Sequence, residues 1–154
     1  MQKKDAEDIF IKYSNDVFHY ALSLLKNFEE ANDARQEVFL KFIKSSESFR
    51  GDCNEKTWLL VITRNYCYRK IRDNNKTNTS LEEISEISDV ENLDEKISLS
   101  DAISRLNQEE SEIVYLREFA GHSYKEMAEI LETSIDNVKV KLFRVRKKLR
   151  NYLK

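Results

Sequence analysis

From Ser134 to Lys154 the chain sets Lys139, Lys141, Arg144, Arg146, Lys147, Lys148, Arg150 and Lys154 against one carboxylate, Asp136, although the formal net charge of the whole chain is -2. Ile135, Val138, Leu142, Val145 and Leu149 recur in the same stretch at intervals of three and four residues. That spacing makes one apolar stripe on a helix and leaves the cations on the other faces. Such a helix, with Ser134 as N-cap, can enter a DNA major groove with its first two turns against base edges and its later cations on phosphates. Asn137, Lys141 and Arg144 then fall at the groove edge, and Lys139, Arg146, Lys147 and Lys148 at phosphates. Two bland readings stand beside this one: a solvated helix face, or half of a coiled coil. The stripe's use in docking the helix on its own unit argues against the coiled coil.

A second cluster mixes rings with cations. In KTWLLVITRNYCYRKIR, Trp58, Tyr66 and Tyr68 alternate with Arg64, Arg69, Lys70 and Arg72, and Lys56 stands at its head. Aromatic rings beside cations suit single-stranded or melted nucleic acid, whose unstacked bases can lie on the rings. Trp58 reads better as a core aromatic with an exposed cationic flank, and for Tyr66 and Tyr68 both readings are open.

Charge is segregated along the chain. Residues 56–76 hold six cations against Asp73, whereas residues 82–96 hold seven carboxylates against Lys96. No carboxylate cluster has metal-ligand spacing, and no nucleophile stands near a base, so an enzyme acting on nucleic acid is disfavoured. Cys53 and Cys67 form no CxxC pair, and His19 and His122 are isolated, which argues against zinc and for ordinary reduced thiols. No catalytic residue, metal or cofactor is expected. The N-terminus lacks an apolar leader core and no apolar run reaches the roughly 18–20 residues of a membrane span, so the expected location is cytoplasmic.

The elements that carry these clusters should be helices. The chain has no proline and only Gly51 and Gly121 among 154 residues, and its composition favours an all-α fold. Ile9, Tyr13, Val17, Tyr20, Ala21 and Leu24 mark a helix over about 5–26. Ala34, Val38, Phe39, Phe42 and Ile43 mark another over about 30–45. After the connector SSESFRGDCNEK a third runs over about 56–72. The polar stretch DNNKTNTS, residues 73–80, is expected to be non-helical. A helix from near Leu93 then runs to Leu106, and the next starts at Asn107 or Gln108 and ends at Gly121, a left-handed stop. Ser123 with Glu126 has capping-box spacing, opening a short helix over 124–131 before the basic helix. Ala128 is small enough for two crossing helices to approach. The expected architecture is two small helical domains, 1–73 and 94–154, joined by a flexible acidic linker over 74–93, the second domain holding a helix-turn-helix.

Taken in order, EANDARQEVFLKF, FRGDCNEKTWLLVITRNYCYRKIR, YLREFAGHSYKEMAEIL and NVKVKLFRVRKKLR resemble a bacterial RNA polymerase sigma factor of the extracytoplasmic-function (ECF) group, over about Asp8 to Leu149. The resemblance implies a protein that binds core RNA polymerase and directs promoter-specific initiation, with two helical domains called regions two and four. It implies that Asp33, Gln36, Glu37, Phe39 and Lys41 grip the clamp helices of the largest polymerase subunit. The connector Phe49 to Lys56 would capture a flipped non-template base of the minus-ten element. Lys56, Trp58, Arg64, Asn65, Tyr66, Arg69 and Arg72 would touch minus-ten DNA where strands open. Ser134, Asn137, Lys139, Lys141, Arg144, Arg146 and Lys147 would touch the minus-thirty-five element. An anti-sigma partner is implied too, with no direct membrane insertion, and the acidic linker would thread the RNA-exit path or serve as a solubilising spacer. The chain departs from the family at Arg69, often acidic there, at Glu132, often glycine, and at Asp136 and Asn137, often small. The rival class is a free-standing helix-turn-helix transcriptional regulator, which leaves QEVFLK and the aromatic-basic helix without a use.

Overall fold

The computed structural model describes residues 3–45, 54–77 and 98–153, and among them every regular element is helical. In chain order these are α1 (Lys3–Leu25), α2 (Phe28–Lys44), α3 (Glu55–Thr77), α4 (Leu99–Ser104), α5 (Gln108–Val114) running into a π-helical turn (Tyr115–Phe119), α6 (Tyr124–Leu131) and α7 (Ile135–Leu153). Residues 46–53 of the expected connector, with Cys53, and residues 78–93 of the expected linker lie outside the described residues.

The first three helices pack on one another. Val17, Ala21, Ala34, Val38, Phe42 and Leu59 have no exposed surface and Ile9 is also buried, as the three-and-four spacing requires. Asn27 caps α2 by accepting a hydrogen bond from the Glu30 amide at 2.9 Å. Ile43, expected on the buried side, is 45% exposed: Phe42 takes the inward position and turns its neighbour out. One expectation fails along the chain axis. Residues 73–77 continue α3 rather than leaving it. Asn and Thr are only mediocre helix formers, but propagation costs little once a helix exists and neither proline nor glycine interrupts it.

The second unit is built around α7, which packs on α4, α5 and α6. Val138, Leu142 and Val145 are buried, and Leu149 is half-buried. Ile135, the first residue of the predicted stripe, is instead 41% exposed, because it occupies the first helical position, beyond the reach of the neighbouring helices. The helix expected from near Leu93 begins at Leu99, where the Ser98 hydroxyl accepts from the Asp101 amide. Capping boxes form at Asn107 with Glu110 and at Ser123 with Glu126, each side chain accepting from the other's backbone amide. Gly121 has φ of 73°, the left-handed geometry expected of it. Glu132 shares that geometry with φ of 54°, where the turn from α6 to α7 would suit a glycine. The turn closes through the Thr133 amide, which donates to the Ala128 carbonyl at 3.0 Å.

The two units pack together, α3 on α6 and α1 on α5 and the π turn, so that residues of both share one buried cluster. Tyr20 stacks on Tyr115 at 5.9 Å, and the Gln108 side-chain amide donates to the Leu24 carbonyl at 3.1 Å.

Two stability outcomes follow. A left-handed non-glycine residue costs about 1–2 kcal/mol, part of which glycine returns through its freer unfolded state. Glu132→Gly is therefore expected to stabilise by about 0.5–1 kcal/mol and raise Tm by a few degrees in calorimetry; a lower Tm would contradict the strain. Leu142→Ala empties a site that is 1% exposed, and urea titration should register a loss of about 2–5 kcal/mol.

Candidate nucleic-acid interface

The outward side of α7 follows from its buried one. At 100° per residue, Val140, Arg144 and Lys147 lie opposite Val138, Leu142 and Val145, with Asn137 and Lys141 beside them. Lys141, Arg144 and Lys147 are exposed. Ser134 and Asn137 instead set the turn: the Ser134 hydroxyl accepts from the Asn137 amide at 3.1 Å, and the Asn137 side chain donates to the Thr133 hydroxyl at 2.6 Å. Lys139 stands 5.7 Å from the Tyr124 ring centre, on a ring that also carries Arg117 at 4.2 Å. Arg146 is bound through Nε and Nη2 to Glu118 at 3.0 and 2.5 Å, and Lys148 to Glu110 at 3.1 Å. Those two cations, expected on phosphates, are paired with carboxylates in this structure. Sequence reasoning missed Val140 and Phe143, which are 46% and 64% exposed among the cations. Their signal was available in their register, since neither belongs to the buried stripe.

On α3 the expected cluster splits into two sides. Asn65, Arg69 and Arg72 are exposed. Tyr66 is half-buried with the Lys41 ammonium 5.2 Å from its ring centre. Lys41, Tyr66, Arg69, Lys70, Asp73 and Asn74 line an open cleft of about 270 Å³ between α2 and α3. Trp58 is half-buried and meets Phe42 edge-on at 5.3 Å, the core role it was granted as one of two readings. Lys56 lies 3.9 Å from Asp16.

Arg64 and Tyr68, one helical turn apart, face the other way. The Arg64 Nε donates to the Glu112 carboxylate at 2.9 Å, the Tyr68 hydroxyl at 2.8 Å and the Tyr20 hydroxyl at 2.5 Å. The Arg64 guanidinium also lies 4.6 Å from the Tyr68 ring centre. Glu112 is 2% exposed. Burial and then the Glu112 charge hold the Tyr20 hydroxyl well above its usual pKa, and the same causes raise Tyr68. Burial works against the Arg64 charge, but Glu112 more than offsets it and the net shift is upward. All three groups therefore remain donors. Burial pushes the Cys67 thiol up to about 12, which keeps it protonated and unreactive.

On α2, Asp33, Gln36 and Glu37 are exposed and share one helix face with Leu40, which is 50% exposed. Phe39 corrects an expectation. It is 4% exposed and packs edge-on against Phe10 at 4.7 Å, so it supports this face from beneath and cannot form it. A shallow apolar groove of about 460 Å³ lies alongside, lined by Ala6, Phe10, Ile11, Phe39 and Ile43. Among the described residues no cluster of His, Cys, Asp and Glu could hold a metal, and no helix is long and apolar enough to cross a membrane.

Comparison with known proteins gives the chain a family. Residues 9–77 match Sigma-70 region 2 and residues 96–149 match Sigma-70, region 4. RNA polymerase sigma factor YlaC of Bacillus subtilis is 28% identical over 97% of this chain and 93% of its own. The ECF RNA polymerase sigma-E factor of Haemophilus influenzae is 29% identical over 97% of this chain and 87% of its own. Among solved structures, the sigma factor RpoE of Bartonella quintana, crystallised with the anti-sigma factor NepR, shares the fold at a TM-score of 0.76, 22% identity and 97% coverage of both chains. A free-standing regulator is not favoured, because region 2 would have no use in it. With both sigma regions present in order on helices that expose cations, the chain belongs to the sigma-70 family, in its extracytoplasmic-function group, and directs transcription initiation.

Proposed function

We infer that the chain loads on core RNA polymerase and places two separate cationic helices on one promoter, α7 on duplex DNA and α3 on strands being opened. The observation that carries this reading is the pair of outward faces. Lys141, Arg144 and Lys147 are exposed on α7, and Asn65, Arg69 and Arg72 on α3, beside a ring-floored cleft. Each phosphate neutralised releases counterions, so binding should be strongly salt-dependent. Val140, apolar and exposed between Asn137 and Arg144, suits a thymine methyl at the groove floor.

On α2, Asp33, Gln36, Glu37 and Leu40 form the polymerase-binding face, with Lys41 at its edge toward Tyr66. The proposed units are residues 1–73, which α3 extends to Thr77, for promoter opening and residues 94–154 for upstream recognition, with the acidic stretch between them as linker. The connector around Phe49 to Lys56 receives a flipped base, whose unstacking of a few kcal/mol the adjacent cations offset. The reading carries a non-catalytic, cytoplasmic role. An anti-sigma protein is a fitting regulator: the solved relative carries one in its complex, and the apolar groove beside α2 offers docking room.

The test is run-off transcription with reconstituted polymerase on genomic fragments, with start sites mapped. Promoter-specific transcripts support the reading, and the absence of co-elution with core polymerase would refute it. Replacing Lys141 and Arg144 together by alanine is expected to weaken upstream promoter binding about 5- to 150-fold per lost base contact and to lower the salt slope by roughly 1 per lost phosphate contact. Polymerase binding should not change, and an equal loss of both would show α7 misassigned. Tyr66→Ala should weaken binding of opened promoter strands by about 1–3 kcal/mol, the worth of one stacked base, while duplex binding persists in a gel-shift titration.

A further inference from the structure

We propose that Glu112 is a latch that shuts the two units on each other and withholds Arg64 and Tyr68 from nucleic acid until the chain is loaded. The carboxylate belongs to α5 of the second unit, and its three donors belong to α1 and α3 of the first. The contact is therefore between units, separated in sequence by 44 to 92 residues. A carboxylate at 2% exposure is costly to bury unless ionic and hydrogen-bonding partners compensate it. Here a guanidinium and two hydroxyls converge on its two oxygens. A phosphate would seek the same guanidinium through charge-assisted hydrogen bonds, so Glu112 and DNA compete for Arg64.

The sizes of the objects make opening necessary if the proposed function is right, on which this meaning of the latch rests. A compact chain of this length has a radius of gyration near 15 Å and is roughly 40 Å across. Promoter elements 25 base pairs apart, as their positions name them, are separated by about 85 Å at 3.4 Å per pair. The closed form can put one cationic helix on DNA but not both. The acidic stretch between the units, residues 82–96 with seven carboxylates, supplies the chain length over which they can part.

The shared apolar cluster favours closure, and Glu112 adds three donors that water would satisfy equally well after opening. Removing the acceptor leaves a guanidinium and two hydroxyls facing a dry gap, and separation is then the state that hydrates them. The Tyr20 ring lies in the shared cluster and the Tyr68 ring packs against it.

The experiment uses the full chain without polymerase. Glu112→Ala, and separately the double variant Tyr20→Phe with Tyr68→Phe, are followed by small-angle X-ray scattering, far-ultraviolet circular dichroism, and binding of a single-stranded oligodeoxythymidylate. The wild type is expected near 15 Å in radius of gyration and the folded variants beyond about 20 Å. Glu112→Ala should also bind the oligonucleotide several-fold more tightly, a gain that Arg64→Ala in the same chain removes. A folded Glu112→Ala that stays at the wild-type radius overturns the latch. An expanded Glu112→Ala with unchanged affinity overturns the withholding of Arg64 and Tyr68. Loss of helical signal in both variants overturns it too, by assigning Glu112 to folding instead of closure. The scattering result needs neither promoter nor polymerase, so it stands or falls apart from the transcription assay.

Discussion

A single buried carboxylate organises this molecule. Glu112 sits in a dry interface where an unpaired charge would be untenable, and its position is tolerable only because Tyr20, Arg64 and Tyr68 reach it together. That requirement fixes the azimuth of α3. With Arg64 and Tyr68 turned inward, Asn65, Arg69 and Arg72 must face solvent, and Tyr66 must fall beside Lys41. It also places the π turn after α5 against α1, where Tyr115 stacks between Tyr20 and Phe119. Among the described residues no buried side-chain polar atom lacks a hydrogen-bond partner. The units are thus held by a fully satisfied polar knot within an apolar cluster, an arrangement whose loss of one member leaves the others exposed to a desolvation penalty.

Electrostatics divides the labour among the helices. A chain with net charge -2 keeps its cations on α3 and α7 and spends some of them internally. Arg146 on Glu118 and Lys148 on Glu110 tie α7 to its own unit, whereas Lys141, Arg144 and Lys147 stay outward. The paired cations hold the helix in place and the outward ones can meet phosphate. The total charge of a basic stretch therefore overstates its DNA footprint. Surface pairs of this kind contribute little stability, so DNA can draw Arg146 away at small cost, while Arg64 must leave a buried partner.

What could be read from sequence was whatever depends on near neighbours. The helix stop at Gly121, the capping box of Ser123 with Glu126 and the stripe of Val138, Leu142 and Val145 are local, and the structure has each of them. Registers defined by three- and four-residue spacing were also legible, with exceptions at Ile43 and Ile135 near helix ends. Phe39 was misread because its exposed neighbours Gln36, Glu37 and Leu40 carry the family resemblance, while its own angle points to Phe10. The extension of α3 to Thr77 was hidden because polar composition says little about whether an existing helix stops. Nothing local distinguishes Arg64 from Arg69, since both are cations beside tyrosines. Only a partner 48 residues away separates their roles. Glu132 shows the converse: the turn geometry was foreseeable as a glycine site, and the chain adopts it without glycine.

The account makes its sharpest claim about how far apart the units stand in free and working states. Paired spin labels on exposed positions of α1 and α6 would report that distance directly by pulsed electron resonance. The free chain is expected to give one distribution within roughly 40 Å, and the polymerase–promoter complex one that is longer by tens of ångströms. The same short distance in both states would contradict the account, because a chain that stays shut cannot serve two sites on one promoter.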